Sequence, residues 1–118
     1  MIKNNIVTYA ATLGGVLLVS IGLLGFCFSG FSGLHLSAVT NLVHLTSGLL
    51  ALSVGLKATS PAAVRLFCTG IGVLYSLAGL VGFVMGGLGD PVMHVTLGAG
   101  FIAAALIQPM RSTIYAPR

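Results

Sequence analysis

Four uninterrupted apolar stretches, each long enough to cross a bilayer, take up most of this chain, and its few charges lie at their ends. A helix needs about 20 apolar residues to span the hydrocarbon core. The stretches run from about Ile6 to Ser29, from Ser37 or Asn41 to Lys57, from Ala62 to Gly86 and from Pro91 to Gln108. Five Lys or Arg and one acid serve 118 residues, so charged residues are 5% of the chain. A soluble domain carries roughly 25%, and water cannot be the solvent for a surface this poor in charge. Disorder is excluded as well, because disordered segments lack apolar residues and are rich in charge. The expected fold is therefore all-α, an integral membrane four-helix bundle forming one transmembrane domain over 1–118.

The breaks between stretches carry turn chemistry: Ser29-Gly30-Phe31-Ser32-Gly33, Thr59-Ser60-Pro61, and Gly86-Gly87-Leu88-Gly89-Asp90-Pro91. Pro109 follows the last span, where helices commonly stop. Lys3 ahead of a long apolar run resembles a secretory leader, but the run exceeds the 7–15 residues of a leader core, which favours a retained first helix. Lys3, Lys57, Arg65, Arg111 and Arg118 all fall at the two termini or in the second loop. Under the positive-inside rule both termini and the middle loop are expected in the cytoplasm, with His35 and Asp90 on the opposite side. A multi-pass protein of a bacterial inner membrane, or another energy-transducing membrane, is the expected location.

The two halves repeat. Gly15-Val16-Leu17 with Gly22-Leu23-Leu24-Gly25-Phe26 recurs as Gly72-Val73-Leu74 with Gly79-Leu80-Val81-Gly82-Phe83, at an offset of 57. His44-Leu45-Thr46-Ser47-Gly48 recurs as His94-Val95-Thr96-Leu97-Gly98, at an offset of 50. Repeat one covers about 6–57 and repeat two about 62–108. Each holds two spans, so both enter the bilayer in the same direction and a pseudo-twofold along the membrane normal relates the hairpins. Small residues recur every seven positions: Gly15, Gly22 and Ser29; Gly48 and Gly55; Gly72, Gly79 and Gly86; Gly98 and Ala105. Lipid provides no hydrophobic drive between helices, so close approach over small residues must supply the packing. A seven-residue seam implies a left-handed bundle, and Gly82 with Gly86 reads as a further GxxxG pair on the third helix.

His44 and His94 are the ionisable side chains inside the spans, and intramembrane ionisable groups are functional suspects. The repeat places them at one depth, about a turn inside the outer face. Each lies four residues before a glycine, on the seam side of its helix. Thr40 and Asp90, four residues earlier again, suit helix N-caps, with Pro91 in the first helical position. Two imidazoles on opposite helices could ligate one haem iron axially, or each could ligate a pigment magnesium. The simpler reading is that each imidazole hydrogen-bonds a neighbouring helix or loop. No CxxCH attachment motif and no wider ligand cluster marks a separate metal site. His35 has no repeat partner and reads as a surface histidine.

Cys27 and Cys68 belong at opposite ends of their helices. Roughly 20 Å of bilayer separates them, against 4.4–6.8 Å between bridged Cα atoms, so both are expected as free thiols. Tyr9, Tyr75 and Tyr115 fall where aromatic rings anchor helices at the interface. Arg111 and Arg118 form a short basic tail suited to anchoring. A hydrolytic triad needs a carboxylate to orient its histidine, and Asp90 reads as a cap. Walker and dinucleotide motifs are missing, as is any basic stripe for nucleic acid.

Asn41-Leu42-Val43-His44-Leu45-Thr46-Ser47-Gly48 and Met93-His94-Val95-Thr96-Leu97-Gly98 resemble the N-x-x-H-L-x-x-G signatures of a bacterial domain-of-unknown-function family of small four-helix membrane proteins. Gly72-Val73-Leu74-Tyr75 and Gly79-Leu80-Val81-Gly82 are similar too, so the likeness runs from about Asn41 to Leu106. Asp90-Pro91 stands where the family pattern has an acidic residue and Asn. The resemblance implies fold and topology, without an activity. Two functions stay open: a non-enzymatic accessory or self-associating subunit in contact with lipid and other membrane proteins, or a carrier of haem or a chlorophyll-type pigment on His44 and His94 in an electron-transfer or photosynthetic assembly. A channel is disfavoured, because the spans lack polar residues to line a path.

Overall fold

The computed structural model describes residues 5–28, 37–58 and 60–108. They form four helices: α1 (Ile6–Cys27), α2 (Ala38–Lys57), α3 (Pro61–Val84) and α4 (Gly89–Ile107). All four are long and apolar enough to cross a membrane, and the described residues contain no strand. The chain is a multi-pass membrane protein. Lys3, His35, Pro109, Arg111, Tyr115 and Arg118 lie outside the described residues, as does Ser29 at the end of the first glycine seam.

The helix ends correct three expectations. Ser37, not Thr40, caps α2: its Oγ accepts from the Thr40 backbone N–H at 3.1 Å. Thr40 sits in the first turn, its hydroxyl 2.9 Å from that of Ser37. Asp90 is not a cap either, because α4 begins earlier than expected and Leu88 holds the N-cap position without a side-chain bond. Pro91 is then the third helical residue, tolerated because N–H groups in a first turn have no intrahelical partner. Gly86 lies beyond α3, not on it as half of a GxxxG pair. Its φ of +85° is left-handed, and two bonds close the turn around it: Gly86 N–H to Phe83 C=O and Gly87 N–H to Gly82 C=O, each 3.0 Å. This double closure is how a glycine satisfies the last carbonyls of a helix.

Glycine fixes the pairing within each hairpin. A Cβ on Gly15 would lie 2.7 Å from Leu52 N and 2.9 Å from Gly48 O; one on Gly48 would lie 2.7 Å from Val19 N. No side chain fits there, so α1 and α2 meet backbone to backbone, as lipid-immersed helices can when small residues line the contact. In the second hairpin, a Cβ on Gly72 would lie 2.8 Å from Gly98 O and 3.1 Å from Ile102 N, and one on Gly98 would lie 2.6 Å from Ser76 N. Each atom here is the counterpart of one in the first hairpin, at the offsets of 57 and 50. Gly22 against Asn41 and Leu45 has its counterpart in Gly79 against Pro91 and Val95. Gly25 against the Asn41 side chain matches Gly82 against the Pro91 ring, and Gly55 closes on Thr12. Two antiparallel hairpins with the same internal contacts, related by a pseudo-twofold, make up the bundle.

Between hairpins the contact is looser and carried by side chains. Val7, Ala11 and Leu18 of α1 pack with Val64, Cys68 and Tyr75 of α3 and with Phe101 and Ala105 of α4. The Phe101 ring fills the space over Gly14. At one end the Cys68 thiol donates to Val7 C=O at 3.6 Å, and Gln108 Nε2 donates to Asn5 Oδ1 at 3.1 Å. Both cysteines are free, Cys27 exposed and Cys68 buried. Thr12, Ser20, Thr46, Thr69 and Thr96 bond back to the carbonyl four residues earlier, which satisfies a hydroxyl in lipid without a neighbouring helix.

Candidate functional site

The site follows from the glycine seam. Gly48 and Gly98 press α2 and α4 onto their partners, and a residue four positions earlier lies on the same helical face. His44 is therefore fully buried, while His94 is half-buried. Their Nε2 atoms lie 3.3 Å apart. The ring planes are 25° from parallel and the centroids 5.3 Å apart, so the imidazoles meet edge to edge, not face to face. One Nε2 carries the hydrogen and donates while the other accepts. The two residues are repeat counterparts touching one another, which places the contact on the pseudo-twofold itself. Sequence reasoning puts them at one depth on the seam side; the structure adds that they bond.

Tyr75 of α3 completes the cluster, its ring centroid 6.0 Å from that of His44 and 5.5 Å from that of His94. It is 5% exposed, packed in the core rather than free to anchor at an interface; Tyr9, on α1, is exposed. Spacing could have revealed this, since Tyr75 stands three residues after Gly72 and four before Gly79, on the seam face of α3. Its hydroxyl lies 2.7 Å from Ser47 Oγ. The Ser47 hydroxyl donates to Val43 C=O at 2.7 Å, so Tyr75 is the donor in their shared bond. Ser47 too went unnoticed in the sequence, its hydroxyl being one of many Ser and Thr in the spans. The counterparts of Tyr75 and Ser47 are Leu18 and Leu97, so the imidazole pair has a polar neighbour on one side of the axis alone.

Three polar atoms near this end of the bundle are buried without a hydrogen-bond partner among the described residues: His44 Nδ1, Asp90 Oδ1 and Asn41 Oδ1. Unsatisfied polar atoms are expensive away from water; Thr8 Oγ1 and Gln108 Oε1, toward the other end of the bundle, are also buried without a partner among the described residues. Asp90 stands one turn before His94 on α4. No three His, Cys, Asp or Glu side chains gather as a metal-holding group among the described residues.

An axial haem does not fit the pair as it stands. Both nitrogens would have to face one iron from opposite sides of a broad flat macrocycle. Here they touch, and the Tyr75 ring stands beside the contact where the macrocycle would extend. A pigment magnesium on each imidazole would likewise require the two rings to part. An open apolar groove of about 230 Å³ between α1 and α4 is lined by Leu13, Gly14, Leu17, Leu97, Gly100 and Phe101 among others, and by neither imidazole. No protein-family model, curated protein or solved structure matches the chain.

Proposed function

We propose that the chain is a non-enzymatic membrane protein that works as an accessory or self-associating subunit, packing against other membrane proteins or copies of itself through its second hairpin. The observation that carries this reading is a pair of outward glycines. Gly70 on α3 and Gly100 on α4 have nothing within 4 Å of the position a Cβ would take. Gly15, Gly22, Gly48, Gly55, Gly72, Gly79 and Gly98 each face a backbone atom at under 3 Å; Gly70 and Gly100 have no such neighbour inside the chain. Their repeat counterparts, Leu13 and Leu50, are exposed leucines, so the fold tolerates large residues at these positions. Glycine on an outer helix face is what close approach of a foreign helix uses.

The imidazole pair then serves as the polar clasp that holds the two hairpins in register. Orientation with termini and middle loop in the cytoplasm belongs to the same reading, supported by Lys57 and Arg65 flanking the short turn between α2 and α3. So does the likeness to small four-helix proteins with N-x-x-H-L-x-x-G motifs, supported by Asn41, His44 and Gly48 all lying on the buried side of α2. Native mass spectrometry of the chain released from its own membrane tests the function. A defined assembly that Gly70→Leu or Gly100→Leu dissociates is expected; monomers throughout, with no co-purifying membrane protein, would contradict it.

A further inference from the structure

The geometry points to a second copy of this chain as the partner, docked on the face where α1 and α4 meet, so that Leu13 of each copy fills the space over Gly100 of the other. This rests on the subunit reading above and narrows it to one partner and one surface. The open groove of about 230 Å³ between α1 and α4 has Leu13 on one helix and Gly100 on the other. Leu13 is 63% exposed, while the position a Cβ would take on Gly100 meets nothing within 4 Å. One face thus carries both a protruding side chain and a bare stretch of backbone.

The two lie level in the bilayer. Leu13 stands seven residues from the start of α1 at Ile6, and Gly100 seven residues from the end of α4 at Ile107, about 10 Å at 1.5 Å per residue. The Asn5–Gln108 bond ties those two helix ends together. Copies of one chain enter a bilayer in one orientation, so a twofold that pairs them runs along the membrane normal and preserves depth. Such a contact is isologous: what one copy offers, the other accepts. Rotation about that axis sets α1 of one copy against α4 of its partner and brings Leu13 to Gly100 twice, as a knob entering a hole. The rest of the face permits it. Gly14, Leu17 and Leu97 continue the apolar lining, and the exposed Thr96 donates its hydroxyl to Val92 C=O at 2.7 Å, so it brings no unmet polar group into the contact. Ala10 adds a small side chain to this groove; its repeat counterpart on α3 is the bulkier Phe67, which marks the α1–α4 face as the one that docks.

The test uses two differently tagged full-length copies, one with Leu13→Cys and the other with Gly100→Cys. Both carry Cys27→Ser to remove the exposed thiol, Cys68 being buried. Co-expressed and oxidised in their own membrane, they should yield a disulfide-linked pair bearing both tags. No mixed pair, or one formed through Leu50→Cys and Gly70→Cys instead, would overturn the face. In native mass spectrometry Gly100→Leu should lose the dimer, and the exchange Leu13→Gly with Gly100→Leu should restore it. The repeat counterparts, Gly70 and Leu50, already place glycine and leucine at these positions of the fold. A dimer indifferent to Gly100→Leu would equally count against the contact. An assembly with other membrane proteins that lacks the Leu13–Gly100 link sinks the self-pairing and leaves the subunit reading standing; monomers throughout sink both.

Discussion

Inside the hydrocarbon a hydroxyl or imidazole has no water to turn to, so each polar side chain must find its partner in the bundle. Tyr75 and Ser47 do so with each other, and His44 and His94 likewise. Interhelical bonds of this kind contribute about 0.6 kcal/mol on average in membrane proteins. Tyr75→Phe should therefore lower stability by about that amount, and a double-mutant cycle with Ser47→Ala should return a coupling of about 0.6 kcal/mol; unfolding in mixed detergent measures both. Removal of either imidazole leaves its partner buried with an unfilled nitrogen, so His94→Ala should cost about 1–3 kcal/mol. The histidines were legible because an ionisable group in an apolar span stands out. Tyr75 was not, since an aromatic ring suits an interface as well as a core and only its register with Gly72 and Gly79 separates the two.

Helices here are joined by the absence of side chains. At Gly15 and Gly72 a Cβ would lie within 3 Å of the facing backbone, so Gly15→Leu and Gly72→Leu should each open their hairpin, read as loss of the folded fraction on thermal melting. Matched substitutions should cost similar amounts, because the two hairpins repeat the same contacts. Gly86 tests a different property: open space surrounds it and its φ is +85°. Gly86→Ala should cost about 1–2 kcal/mol through the left-handed backbone alone, with the helix pairing unchanged. The seven-residue spacing of small residues made the seams readable. Caps were harder: Ser37 and Thr40 are both good N-cap residues three positions apart, and backbone geometry chooses between them.

At the scale of the whole molecule, dense contact within hairpins and sparse contact between them leaves a few hydrogen bonds as the directional links across the pseudo-twofold, the polar cluster toward one end and the Cys68–Val7 and Gln108–Asn5 bonds toward the other. Cys27 lies exposed at the end of α1 remote from Lys57 and Arg65, so a membrane-impermeant maleimide should label it in intact cells and spare the buried Cys68. Labelling of Cys27 only after lysis would reverse the orientation. Span count, hairpin pairing and the common level of the histidines were written in apolar run lengths and repeat offsets. Which side of the axis is polar was not, because it depends on Tyr75 and Ser47 replacing leucines at single positions in one copy. The most direct measurement is solid-state NMR of the chain with ¹⁵N-labelled histidine in lipid bilayers. A correlation between the Nε2 nuclei of His44 and His94, lost in His94→Ala, is the expected result; two imidazoles with no through-bond or through-space contact would contradict a bundle closed on its own axis.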